Sequence, residues 1–263
     1  MNELKNKVAV VYGAGGGIGG AVARAFAREG ARLFVTGHRL AAVEAVSNDI
    51  VSSGGLAEAA EVDALDEQAI DKHLRYVVEK AGRIDISFNA MGNSPARYLG
   101  PSLVDMDLEQ FSMPITSYTT SYFLTARLAA KYMLPNRAGV IMTVTAPPAK
   151  ISTPNGGYGP SQAAKEALTR YLSLELAPQG IRVVGLQPHA MPETETIKEI
   201  FESRAETMGL TWEQFAGYLA GMNHPKRFLT LAEMANIAAF MASDKASGIM
   251  GTTVNVTMGA LDN

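Results

Sequence analysis

The run Val8-Ala9-Val10-Val11-Tyr12-Gly13-Ala14-Gly15-Gly16-Gly17-Ile18-Gly19 leaves this chain few ways to fold. Four β-prone apolar residues pass into a glycine cluster. Ile18, Val22, Ala25 and Phe26 then recur at helical spacing. A strand, a tight glycine turn and a helix N-terminus make a phosphate cradle. Glycine permits positive φ and removes the Cβ atoms that would hold a diphosphate away. The free N–H groups of the first helical turn, at the positive end of its dipole, then face the anion. Gly15, Gly17 and Gly20 spell a Gly-x-Gly-x-x-Gly string, but it starts too late for a turn that begins where the strand ends. The spacing Gly13-x-x-x-Gly17-x-Gly19 starts at the right place. The expected cradle residues are therefore Gly13, Gly15, Gly16, Gly17, Ile18 and Gly19. The competing reading is a flexible glycine loop without a ligand.

The same alternation of strand and helix patterns continues to the far end. Strands are expected at Val8–Tyr12, Arg32–Thr36, Leu56–Val62, Ile84–Asn89, Val140–Val144, Arg182–Leu186 and Thr253–Val256. Helical patterns lie between them near 18–29, 40–53, 67–80, 107–134, 161–177 and 231–242. Apolar strands separated by helices imply right-handed crossovers and an α/β fold, a parallel seven-stranded sheet with helices on both faces. No repeat, low-complexity tract or linker divides the 263 residues, so one domain, 1–263, is expected. Apolar residues make up 47% of the chain, enough to fill a core of that size. A net charge of −3 without a Lys/Arg run argues against a nucleic-acid partner. The absence of cysteine excludes disulfides and thiolate metal sites, and no metal site is expected. No apolar run approaches a membrane span, and residues 1–7 lack the apolar stretch of a signal peptide, so a cytoplasmic protein is expected.

In such sheets ligands bind outside the carboxyl ends of the strands, so polar residues there carry most information. His38 and Arg39 follow the second strand, where a carboxylate would bond a ribose 2′-OH and repel a 2′-phosphate. With Arg39, and with His38 nearby, NADP is favoured over NAD, which stays possible. Arg39 could instead be a solvated first-turn residue. Asp63, after the third strand, could accept from an adenine amino group or merely cap the helix starting near Asp66. In Asn89-Ala90-Met91-Gly92, after the fourth strand, small residues would let the chain pass close to a ribose.

With these pieces assembled, the chain resembles the short-chain dehydrogenase/reductase superfamily over nearly its whole length. The resemblance is carried by Gly13-x-x-x-Gly17-Ile18-Gly19, Asp63, Asn89-Ala90-Met91-Gly92, Tyr158 with Ser161, Gly180-Ile181-Arg182-Val183, Pro188 and Gly251. It implies a single Rossmann-type doubly wound domain, a bound nicotinamide dinucleotide, a homo-oligomer (dimer or tetramer), and hydride transfer between that cofactor and a carbonyl or alcohol. It further implies a catalytic set of Asn, Ser, Tyr and Lys, in which Lys holds the nicotinamide ribose and acidifies Tyr.

Several of those slots are altered here. Tyr158 is followed four residues later by Gln162 rather than Lys, and counting back nineteen from Ile181 also lands on Gln162. The Ser slot, thirteen before Tyr158, holds Thr145, which can still donate and accept. The Asn slot, seven after Phe111 and five before Phe123, holds Tyr118. Tyr12 replaces the opening Thr, and His189 replaces the Gly after Pro188. Pro188 and His189 are expected to line the nicotinamide pocket, although His189 is also a candidate titrating group. Gln162 can bond a ribose hydroxyl but supplies no charge, so Tyr158 is expected nearer the ordinary phenol pKa of about 10.

Lys165 lies about 10 Å along the helix axis from Tyr158, against about 6 Å for Gln162. Its side chain leans back and could partly replace the missing charge. Tyr-x6-Lys is also the spacing of enoyl-acyl-carrier-protein reductases in this superfamily. The count from Ile181 puts Lys165 one turn too late, however, and an exposed helix lysine is expected.

Residues 190–227 fall where the superfamily places its substrate lid. Thr211–Leu219 reads as a capped amphipathic helix, whose Trp212, Phe215 and Leu219, with Met222 beyond, could cover an apolar substrate or pack within the protein. Met91, Met113, Met142 and Met191 could add adaptable lining. The leading expectation is an oxidoreductase reducing a carbonyl on a small, apolar substrate, with Tyr158 as proton donor, Thr145 orienting the substrate oxygen, Gln162 on the ribose and Tyr118 in the relay slot. The alternatives are a binding protein that has lost chemistry, or a lyase or isomerase using Tyr118, His189 or Lys165.

Overall fold

The computed structural model describes residues 2–93, 102–152 and 156–261, without the side chains of residues 196 and 203. Its strands are β1 (Val8–Tyr12), β2 (Arg32–Gly37), β3 (Leu56–Glu61), β4 (Ile86–Asn89), β5 (Gly139–Val144), β6 (Ile181–Pro188) and β7 (Thr252–Val256). Its helices are α1 (Gly17–Arg28), α2 (Leu40–Ser52), α3 (Glu67–Ala81), α4 (Leu108–Met133), α5 (Tyr158–Leu176), α6 (Glu195–Thr207), α7 (Trp212–Met222) and α8 (Leu231–Ala242). The strands form one parallel seven-stranded sheet in the order β3-β2-β1-β4-β5-β6-β7, which is the expected doubly wound α/β fold. The order reverses between β1 and β4, and such a switch point opens a crevice at the strands' carboxyl ends.

Alternation along each strand divides the core in two. Ala9, Val11, Leu33, Val35 and Phe88 pack against α1 and α8, whereas Val8, Val10, Phe34 and Ile141 pack against α3 and α4. Val22, Ala23 and Phe26 give α1 its buried stripe, and Phe26 meets Phe88 edge to face at 6.1 Å. Burying a side chain of that size contributes about 1.5–3 kcal/mol. The helix starts follow their caps: Asp66 accepts from Gln68 N and Ala69 N, and Asp107, Thr211 and Thr230 each complete a capping box.

The elements differ from the sequence reading at three places. β4 runs from Ile86; Asp85 before it still donates its N to Val8 O at 2.9 Å and accepts at O from Val140 N at 2.8 Å, while its buried carboxylate accepts from Val8 N at 2.8 Å and pairs with Arg83. α5 starts at Tyr158, three residues earlier than its apolar periodicity suggests. α6 lies inside residues 190–227, read as a lid with a helix only at Thr211–Leu219, although Ile197, Ile200, Phe201 and Arg204 stand at helical spacing. Among the described residues no helix is long and apolar enough to cross a membrane.

Candidate active site

β1 delivers the chain into the glycine turn at the switch point. Gly13 has φ 73°, and a Cβ there would stand 2.6 Å from the carbonyl oxygen of Ala90. Backbone conformation and space therefore both demand glycine. Ala90 N donates to Tyr12 O, so the segment after β4 lies directly against this turn. α1 begins at Gly17 behind Gly16, with no side-chain cap and no acidic residue in its first turn. The N-termini of α3, α4, α7 and α8 are capped by their own side chains; α1, like α2, α5 and α6, has no such cap, and its first-turn N–H groups are able to bond an anion. Gly15 and Gly17 are held close against the protein itself: Cβ atoms there would stand 3.0 Å from Ala42 Cβ and 2.7 Å from Thr194 Cγ2. Ile18 and Gly19 turn inward, Ile18 onto the core and Gly19 against Gly13.

At the far end of the crevice His38 and Arg39 are exposed after β2. His38 Nε2 lies 3.2 Å from Asp63 Oδ1, which also accepts from Leu65 N at 2.8 Å. Asp63 therefore does not cap α3; Asp66 does. Asn89 is buried with its side chain spent on structure: Nδ2 donates to Ser121 Oγ and Thr125 Oγ1, both at 2.9 Å, and Oδ1 accepts from Met91 N. It pins β4 to α4, and the contact it offers is the course of Ala90 and the exposed Gly92 beyond it.

α5 and α4 bring two phenols together. Tyr158 opens α5 and is half-buried; its ring meets that of Tyr118 edge to face at 5.5 Å. The Tyr118 hydroxyl accepts from Asn93 N at 3.1 Å. Burial, and then the neighbouring Tyr118, push the Tyr158 hydroxyl above the usual phenol range instead of leaving it near its ordinary value. Gln162 is buried behind it; its Nε2 donates to Ser161 Oγ, which donates to Tyr158 O.

Thr145, where β5 ends, points its hydroxyl at Glu166 Oε1, 3.3 Å away. Gln187 Nε2 donates to that same oxygen at 2.7 Å, while Gln187 Oε1 is buried without a partner. Burial raises the Glu166 pKa against the opposing fields of Lys150 and Arg170. Sequence reasoning missed Glu166 and Gln187. Their signal was available: Glu166 lies one turn beyond Gln162 on the same helix face, and Gln187 directly precedes Pro188.

The expectation for Lys165 fails outright. It is 2% exposed, and its Nζ donates to Val144 O at 2.5 Å. That Nζ lies 5.6 Å from the centre of the Tyr118 ring and 6.0 Å from that of Tyr122. α5 packs between α4 and the sheet, so its Lys165 face is internal.

Pro188 ends β6 beside Val256, and His189 follows, half-buried. His189 Nδ1 lies 2.8 Å from Asn223 Oδ1, whose own amide nitrogen donates to Arg227 O at 2.7 Å. Asn223 must then accept, which places the imidazole proton on Nδ1 and the lone pair on Nε2. Burial lowers the His189 pKa, so the ring is neutral at neutral pH.

In α7 the buried Phe215 packs on Phe201 of α6 at 5.8 Å, Trp212 and Leu219 are half-buried and Met222 is exposed. Of the four methionines offered as lining, Met142 and Met191 belong to the core and Met91 packs against it. Only Met113, whose sulfur lies 3.8 Å from Asn93 Nδ2, stays near the phenol pair.

A family model described as Enoyl-(Acyl carrier protein) reductase matches residues 13–260. The 7alpha-hydroxysteroid dehydrogenase of Escherichia coli (strain K12) is 30% identical over 260 residues, 98% of this chain and 96% of that protein. Among solved structures, NAD+-bound xylitol dehydrogenase superposes with a TM-score of 0.89 at 26% identity, covering 96% of this chain and 98% of its own. A 7 alpha-hydroxysteroid dehydrogenase complexed with NADH and 7-oxo glycochenodeoxycholic acid gives 0.86 at 29% identity, covering 100% and 97%.

Proposed function

The chain belongs to the short-chain dehydrogenase/reductase superfamily, an oxidoreductase family, and we propose that it transfers hydride between a nicotinamide dinucleotide and the carbonyl or alcohol carbon of a small, apolar substrate, with reduction favoured. The observation that carries the reading is the Tyr158–Tyr118 pair on α5 and α4, together with the glycine turn that opens α1 without a side-chain cap.

The site's residues fit such a cofactor at its phosphate end. The Gly13–Gly19 turn, with Gly15, Gly16, Gly17 and Ile18 between, brings backbone amides at the uncapped start of α1 to a pyrophosphate. Arg39, with no carboxylate following β2 in sequence, suits the 2′-phosphate of NADP, with His38 beside it held 3.2 Å from Asp63, and NAD remains admissible. Asp63 borders the adenine side, while Asn89, Ala90 and Gly92 form the ribose-side wall. Gln162, Pro188 and His189 border the nicotinamide. When bound, the dinucleotide supplies or takes the hydride. Tyr158 donates its phenol proton to the substrate oxygen, Thr145 orients that oxygen, and Tyr118 occupies the relay position. A phenol with a raised pKa stays protonated near neutrality, so it is not available as the base that alcohol oxidation needs, while it still carries the proton that reduction uses. Residues 190–227, with α6 and α7, form the substrate lid of a single cytoplasmic domain that assembles as a homo-oligomer.

One arrangement supports a second reading, a binding protein without turnover. Gln162 brings no charge, its amide is engaged by Ser161, and Thr145 is turned to Glu166. Two measurements separate the readings. Fluorescence of the single Trp212 on adding NADPH or NADH reports binding, and absorbance of the reduced nicotinamide with a panel of ketones, quinones and enones reports turnover. Tyr158→Phe should abolish turnover while keeping nucleotide binding; full activity in that variant would remove the donor assignment.

A further inference from the structure

Thr145, directly after β5, belongs to a buried polar cluster that the proposed chemistry does not use. Its hydroxyl donates to Glu166 Oε1 at 3.3 Å. Gln187, fully buried near the end of β6, donates from Nε2 to that same oxygen at 2.7 Å and to Ala146 O at 3.2 Å. Its own Oε1 is buried without a partner. An orphaned amide oxygen is costly. Turning the amide over would set that oxygen against the Ala146 carbonyl, so the observed orientation stands and Gln187 holds Glu166 beside Thr145. As packing alone the cluster is a poor choice, because apolar side chains would fill the space without an orphan or a desolvated carboxyl group.

A threonine hydroxyl has one hydrogen to give. A carbonyl oxygen under reduction gathers negative charge and is stabilised by donors aimed at it. While Thr145 donates to the Glu166 carboxylate, it offers that oxygen only lone pairs. We infer that Glu166 is a positioning residue for Thr145: as a carboxylate it takes the threonine's hydrogen bond, and as a neutral carboxylic acid it leaves that hydrogen for the substrate oxygen. The inference rests on the reading of Thr145 as the group that orients this oxygen. Hydrogen bonds to an ionised acceptor are about twice as strong as those to a neutral one, so loss of the charge frees Thr145 to turn. Thr145 keeps its proton throughout, and the proton that is transferred still comes from Tyr158.

The arrangement gives the rate a pH signature. Glu166 meets the neutral Thr145 from the end of β5 and the neutral Gln187 from β6. Lys150, after the turn Pro147–Ala149, and Arg170, one turn further along α5, favour its charged form. Lys165, its neighbour in sequence, turns instead to Val144 O and to the rings of Tyr118 and Tyr122 on α4. Burial outweighs the opposing fields and raises the carboxyl's pKa, so the neutral form persists to higher pH than in an exposed glutamate. Carbonyl reduction is then fastest where Glu166 is neutral and slows as pH rises through its titration.

The test uses the full chain with NADPH and whichever carbonyl of the panel turns over best, with kcat and KM followed against pH. In the unaltered protein kcat should fall through one step as pH rises, and KM should move less, because the donor matters most to the charge of the transition state. Glu166→Gln keeps an acceptor for Gln187 without the charge; it should remove the step and hold kcat at the acid-side level. Thr145→Val should lower that level about tenfold and lose the step, and adding Glu166→Gln to it should change nothing further. Gln187→Leu withdraws a hydrogen bond from the charged form of Glu166 and should move the step to higher pH. A step that survives in Glu166→Gln overturns the inference. So does a step that stays in place or moves down in Gln187→Leu, a result that stands even where Glu166→Gln does not fold. A further loss in the double variant also overturns it, since that is the mark of packing alone. Full activity of Thr145→Val at every pH sinks the Thr145 reading and this inference with it, whereas an impaired Thr145→Val beside an unaltered Glu166→Gln profile sinks the Glu166 inference alone.

Discussion

Tyr118 of α4 and Tyr158 of α5 meet edge to face, their ring centres 5.5 Å apart and their planes at 71°. This geometry sets the positive edge of one ring against the negative face of the other and is worth about 0.5–1.5 kcal/mol beyond area burial. It also desolvates Tyr158, which raises the hydroxyl's pKa. Contact and chemistry therefore come from one pairing.

Restoring the charge at position 162 should change the direction preference. In Gln162→Lys the ammonium would stand about 6 Å along α5 from Tyr158, acidify the phenol and make it a better base. Alcohol oxidation near neutrality should rise at least about tenfold, measured as reduced nicotinamide formed from an alcohol panel. No rise would mean that the site has left the superfamily's chemistry.

Arg39→Glu should reverse the nucleotide preference. A carboxylate after β2 accepts from a ribose 2′-OH and repels a 2′-phosphate. The ratio of NADPH to NADH dissociation constants, read from Trp212 fluorescence, should move toward NADH by about tenfold or more. An unchanged ratio would return Arg39 to the solvated first turn of α2.

Gly13→Val should lose the cradle. The new side chain would have to adopt φ 73° and enter space held by the Ala90 carbonyl. Strain of this kind costs about 1–3 kcal/mol. Thermal unfolding should register it, and nucleotide affinity should fall with it.

His73 gives a pH dependence of stability. It is buried on α3 against Phe34, its Nδ1 has no partner, and burial lowers its pKa to about 4. Below its ordinary value of 6.5 the unfolded chain binds a proton that the folded chain refuses. Stability from this group is thus full above 6.5 and lost as pH falls toward 4, to a limit of about 3 kcal/mol. His73→Phe should flatten that part of the curve in urea titrations at stepped pH.

Asn89→Ala should behave as a structural lesion. It strips Ser121, Thr125 and Met91 N of a shared buried partner, at a cost of about 1–3 kcal/mol. The urea midpoint should drop while the NADPH Kd of the folded fraction stays within about threefold.

The sheet was legible because its signals are local. Strands β1, β2, β5 and β6 carry largely apolar runs and β7 an alternating one, α1 an apolar stripe, and α3, α7 and α8 side-chain caps placed before them. The glycine turn was legible for the same reason, since strand end, positive φ and helix start are neighbours in sequence. Misreadings began where burial depends on what packs from elsewhere. Lys165 reads as an exposed helix lysine and Glu166 is passed over, yet both are buried, as are the polar Asp85 and His73.

What this sequence determined by itself is the order of the seven strands, the place of the glycine turn between β1 and α1, and the identity of the residues standing at the strand tips. Periodicity, glycine stereochemistry and capping act within a few residues. Only the tertiary structure decided that Lys165 turns inward between Tyr118, Tyr122 and the end of β5, that Thr145 faces Glu166, and that Asn223 fixes the tautomer of His189. Those outcomes depend on desolvation and on hydrogen-bond partners brought from distant segments, and neither exists until the helices have packed against the sheet.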